Sequence, residues 1–115
     1  MGALTDTQSL VLEQLRVHCR RQVMLYRGGK YDHLHQDKLA RIQRGDQACA
    51  FCLGGLTFQI GHQLHMPAAK VLRTFKALKA KGMVLSEDKV DYQRPLYWWP
   101  VGLAGESAAE IGRGM

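Results

Sequence analysis

The chain has 115 residues, 46% of them apolar, which suffices for one domain with a modest core. Sixteen Lys and Arg against ten Asp and Glu leave a formal net charge of +6, a balance that favours polyanionic partners. No run approaches the ~18 consecutive apolar residues of a membrane span, and the N-terminus lacks the basic-then-apolar layout of a secretory signal. Three cysteines are odd in number and too few for a disulfide framework, so a reducing, cytoplasmic compartment is expected, with no membrane as partner.

In chain order, Thr5-Asp6-Thr7-Gln8 has the Thr-x-x-Gln form of a capping box and predicts a helix start. Leu12, Leu15, Cys19 and Val23 mark one face of that helix, and Glu13, Gln14, Arg16, Arg20 and Arg21 much of the other, to about residue 22 or beyond. Gly28-Gly29 ends it. Lys30 to Gly45 holds a second helix with Leu34, Leu39 and Ile42 as a weak apolar face. Gln47 to Gly55 is a small-residue, apolar stretch containing Cys49 and Cys52. Leu56, Ile60 and Leu64 then recur every four residues, and Val71, Phe75, Leu78 and Gly82 recur at four, three and four. Only His65-Met66-Pro67 separates these two helices, with Pro67 expected at the first position of the second. Gly82 suits its C-terminal stop. Met83-Val84-Leu85 and Leu96-Tyr97-Trp98-Trp99 are apolar runs joined by polar residues, the second bracketed by Pro95 and Pro100, and predict a β-hairpin with a long tip. Trp98 and Trp99, as strand neighbours, are expected on opposite faces, one on the preceding helix and the other outward or against a partner. From Gly102 to Met115 the composition predicts a flexible tail.

Helix, turn, helix and hairpin over residues 56–99 resemble the winged helix-turn-helix family of DNA-binding domains. Ile60-Gly61 stands at that family's apolar-small pair and Leu64 at its next core position. Val71, Phe75 and Leu78 stand at the core positions of its recognition helix, and Gly82-Met83-Val84 at its helix-to-wing junction. The resemblance implies an α+β fold, mainly helical with a small C-terminal hairpin wing, occupying residues 1–101 with an insertion around 28–55. It also implies a first helix packed across the other two, and a short strand within 47–55 that joins the hairpin.

With Val71, Phe75 and Leu78 inward, the outward positions of helix 68–81 include Ala69, Lys70, Arg73, Thr74, Lys76 and Ala77, with Lys79 and Lys81 at its end. Such a row can neutralise phosphates, and Arg73 can bond a guanine edge bidentately. The plainer alternative is a solvated lysine face that favours the helix C-terminus. Ala68, Ala69 and Leu72 occupy positions where family members often carry base-reading polar residues, and the chain contains no Asn. Ala69 can touch a thymine methyl, which leaves Arg73, Thr74 and Gln59 or Gln63 to read sequence, with phosphates and shape supplying the rest. The expected wing adds Lys89, Tyr92, Gln93 and Arg94.

Cys49, Cys52, His62 and His65 form a rival constellation for structural zinc, with His33 and His35 nearby. Their His-x2-His spacing is shorter than that of a finger. His65, in the inter-helix turn, has a second reading as a residue of positive φ, and the cysteines as small buried hydrophobes. No cofactor is therefore expected. The chain lacks P-loop, Gly-x-Ser-x-Gly and His-Glu-x-x-His patterns, so no enzymatic site is expected either. Together these features predict a small transcriptional regulator on double-stranded DNA, located with the nucleoid. It is expected to be a homodimer, joined through the first helix or the Tyr31 to Gly45 segment. The alternative is a protein-interaction module, an inhibitor or adaptor such as mobile elements carry, built on the same scaffold.

Overall fold

The computed structural model describes residues 3–44, 53–86 and 97–103. Its first helix, α1, spans Asp6–Tyr26 and starts as the capping box predicts: Gln8 N–H donates to Thr5 Oγ1 and Thr5 N–H to Gln8 Oε1, each at 3.1 Å. Val11, Leu12, Leu15, Cys19 and Val23 are all buried, one continuous stripe. The helix runs four residues past residue 22 because the next break, Gly28 at φ 76°, comes only after Tyr26.

The second helix, α2, spans Asp32–Gln43 and sends Leu39 and Ile42 into the same core as α1. Leu34, expected on that face, is instead 49% exposed. It lies five residues before Leu39, about 140° away around the helix, so the two cannot share a face.

Helices α3 (Thr57–Leu64) and α4 (Ala68–Ala80) follow, then strands β1 (Val84–Ser86) and β2 (Trp98–Pro100). The strands pair antiparallel, with Val84 opposite Pro100, Leu85 opposite Trp99 and Ser86 opposite Trp98. Pro100, expected to bracket the strand from outside, lies within it. Val101 N–H donates to Met83 O across the hairpin at 3.0 Å, so the alternation of the ladder puts Pro100 at a non-hydrogen-bonded position where its missing N–H costs nothing. Of the strand expected within residues 47–55, residues 47–52 lie outside the described residues; at its end Gly55 bridges to β2, with Gly55 N–H donating to Trp98 O at 2.9 Å and Trp98 N–H to Gly55 O at 2.8 Å.

Both tryptophans are buried, which corrects the expectation that one would face outward. Trp98 stacks on Phe75 of α4 with ring centroids 4.9 Å apart, and Trp99 has no exposed surface at all. Neighbours on a strand point to opposite faces, so β2 is covered on both. Leu103, expected in the tail, is buried in the core as well. The fold is a winged helix: α1 lies across α3 and α4, and the hairpin packs against both α1 and α4.

Candidate nucleic-acid interface

The α3–α4 corner is fixed by the way α3 ends. Met66 N–H donates to Gly61 O at 2.8 Å and His65 N–H to His62 O at 3.4 Å, a pair of bonds that closes a helix only if one residue turns left-handed. His65 takes that role at φ 54°, ψ 46°, as its place in the turn predicts. The chain then doubles back so tightly that a Cβ on Gly61 would lie 2.6 Å from Met66 O. Pro67 caps α4 from just outside the helix rather than occupying its first position, and its carbonyl accepts from Lys70 and Val71 N–H at 3.0 and 3.1 Å.

At its other end α4 closes with the same bond pair, Met83 N–H to Leu78 O at 2.9 Å and Gly82 N–H to Lys79 O at 3.0 Å, with Gly82 at φ 74°. Between these stops Val71, Phe75 and Leu78 are wholly buried. Ala69, Lys70, Arg73, Lys76 and Lys79 are exposed, as expected, and Ala77 is half-buried. Thr74 is not on this face. It is 8% exposed, and its hydroxyl donates to Lys70 O at 2.8 Å. Position 74 lies three residues after Val71 and four before Leu78, on the buried arc itself, and a threonine tolerates that place by bonding back to its own helix.

Three other candidates are partly committed elsewhere. Gln59 Oε1 accepts from Leu56 N–H at 2.9 Å, helping to start α3 where Leu56 has no side-chain acceptor to offer. Lys79 Nζ donates to Ser86 Oγ at 2.7 Å, bridging α4 to β1, and Lys81 Nζ donates to Gln8 Oε1 at 2.7 Å. Lys89 and Arg94 lie outside the described residues, as do Cys49 and Cys52. His62 and His65 are exposed, and among the described residues no three His, Cys, Asp or Glu side chains are placed to hold a metal ion.

The electrostatics of the corner follow from composition along the chain. From Gln47 through Ser86 there is no Asp or Glu, while Lys70, Arg73, Lys76, Lys79 and Lys81 all fall in that span. No carboxylate on α3 or α4 therefore offsets the charge of the exposed α4 face. Beside the start of α4, an open groove of about 820 Å³ runs between Phe58, His62, Met66 and Ala68, with His18 of α1 at its base.

His18 is a participant the periodicity does not single out. It is buried, and its Nδ1 lies 3.1 Å from Gln63 Nε2, while Gln63 Oε1 accepts from Gln14 Nε2 at 2.8 Å. This chain of bonds ties α1 to α3. Burial, and secondarily the Arg21 charge, hold the imidazole below its ordinary pKa and so favour the neutral form. The available signal is a histidine lying between Leu15 and Gln22 on the apolar arc.

A helix-turn-helix of this kind, followed by a hairpin, defines the winged-helix class. No protein-family model matches the chain, and no curated protein matches it. Among solved structures it is similar to the transcriptional regulator SlyA, with 12% identity and a TM-score of 0.39 over 96% of this chain and 72% of that one. A likeness of that degree says nothing of function. No helix among the described residues is long and apolar enough to cross a membrane.

Proposed function

We propose that this chain binds double-stranded DNA as a small transcriptional regulator, with α4 entering the major groove. The observation that supports this most is the cationic face of α4, which no carboxylate on α3 or α4 offsets. At about 100° per residue, Ala69, Arg73 and Lys76 lie at the centre of the face opposite Val71 and Phe75, with Lys70 and Lys79 at its two flanks. Central side chains reach base edges and flanking ones reach phosphates. Arg73 is the residue that reads a guanine, and Ala69 packs on a thymine methyl. Lys89 and Arg94 add backbone contacts from the wing. With Thr74 buried and Gln59 engaged in its own helix, few base readers are left. Affinity on this reading comes chiefly from phosphates, and specificity from Arg73 together with DNA shape.

The test is fluorescence anisotropy on duplex DNA across a salt series. Four engaged cations give a slope of about −3 to −4 in log affinity against log salt, at about −0.9 for each phosphate neutralised. Lys70→Ala is expected to lower that slope by about one and to weaken all sequences alike, whereas Arg73→Ala costs about 1–3 kcal/mol and relaxes sequence preference. A second reading rests on Phe58 and Leu72, which are 55% and 36% exposed on the helix-turn-helix and suit a protein partner. Absence of duplex binding at low salt by the folded chain would overturn the DNA reading in favour of that one.

A further inference from the structure

The outward face of α1 has a symmetry that its inward face lacks. Val11, Leu12, Leu15, Cys19 and Val23 fill the inward arc, and the arc opposite them is centred on Val17, itself half-buried. Leu10 and Met24 lie on this outer stripe, each seven residues from Val17, and are 50% and 58% exposed. A seven-residue spacing drifts only about 20° around an α-helix, so the three apolar side chains stay in line. Glu13 and Arg21, both exposed, flank Val17 at four residues on either side and carry opposite charge.

We propose that two copies of this chain associate through α1, antiparallel, about a two-fold axis that passes beside Val17. Reversing the helix about that residue sets Leu10 of one copy on Met24 of the other and Glu13 on Arg21, and the symmetry makes each contact twice. Val17 meets its own counterpart on the axis. The parallel arrangement in the same register would set Glu13 on Glu13 and Arg21 on Arg21, like charges facing each other, so the charge pattern selects orientation as well as partner. It also favours a second copy over an unrelated protein, because the stripe is complementary to itself.

The contact runs from Leu10 to Met24, about 21 Å of helix, which places it at the small end of specific interfaces. The association involves no residue of α4 and stands whether or not the chain binds DNA.

Sedimentation velocity of the full chain from about 1 to about 500 μM tests it across the affinities such a contact allows. The expected result is a monomer–dimer equilibrium that Val17→Lys weakens at least tenfold, since two ammonium groups would then meet on the axis. Glu13→Arg and Arg21→Glu, both outside the core, are each expected to weaken it by a similar factor, because either variant faces itself with like charges. Mixed in equal amounts, these two charge variants restore opposite charge at both contacts and associate as well as the wild type. A chain that stays monomeric throughout, a dimer indifferent to Val17→Lys, or a mixture no stronger than its separate components would each overturn the proposal.

Discussion

Gly61 and His65 divide between them the geometry of the helix-turn-helix corner. Gly61 is fixed by space: the carbonyl of Met66 lies where a side chain would begin, and it is backbone, unable to swing aside. Gly61→Ala must therefore open the turn, and a loss of about 1–3 kcal/mol is expected by urea denaturation. His65 is fixed by conformation. A left-handed residue other than glycine costs about 1 kcal/mol, so His65→Gly is expected to stabilise the chain by roughly 0.5–1 kcal/mol in the same measurement. An unchanged midpoint for both variants would contradict the corner described. His65 is legible in the sequence because it stands alone between two helical periods, ahead of a proline. Thr74 departs from its expected place because its angle on the helix outweighs its polarity: a hydroxyl can be carried into a buried arc when the carbonyl four residues back accepts from it.

At the scale of elements, β2 is the piece on which the others converge. Trp98 stacks on Phe75 of α4, its backbone pairs with Gly55, and its carbonyl lies 3.8 Å from Cys19 Sγ of α1. That thiol, buried and pushed far above its ordinary pKa, acts as a small apolar group here rather than as a nucleophile. Trp98→Ala removes the stack and leaves a cavity among these elements, and a loss of about 3–5 kcal/mol is expected. In a domain whose whole stability is of the order of 5–15 kcal/mol, such a variant should show a large population of unfolded chain on warming. Trp98→Phe, which keeps a ring against Phe75, should recover most of the loss, and equal destabilisation by both variants would remove the stack as the cause. The hairpin itself is legible from two short apolar runs and the intervening polar residues. The burial of both its tryptophans is not, since alternation shows that neighbours diverge and is silent on how many faces of a strand the rest of the chain covers.

Across the four helices the acids are segregated: α1 and α2 carry Asp6, Glu13, Asp32 and Asp37, whereas α3 and α4 carry none. Local periodicity locates every helix among the described residues, but it cannot show that Leu39, Ile42 and Leu103 join a single core with α1 and α4, because those contacts are set by long-range packing rather than by neighbours in sequence. The same holds for the link from Gln14 through Gln63 to His18, which crosses between helices nearly fifty residues apart. This link makes global stability depend on pH. Gln63 Oε1 accepts from Gln14, so its amide nitrogen must donate to His18 Nδ1, and the imidazole can accept only while that nitrogen is unprotonated. The folded chain thus holds His18 neutral with its pKa lowered, while the unfolded chain binds a proton near the ordinary 6.5. Between those two values the unfolded state carries more protons, so stability is fully present above about 6.5 and declines as pH falls toward the folded pKa. His35, lowered chiefly by burial and also by Lys38, adds to the decline with the same sign. Urea midpoints measured from pH 7.5 down to 5 should therefore fall, and His18→Gln should flatten the curve while leaving the residual slope to His35. A midpoint that rises on acidification, or a slope untouched by His18→Gln, would show that the proton acts elsewhere.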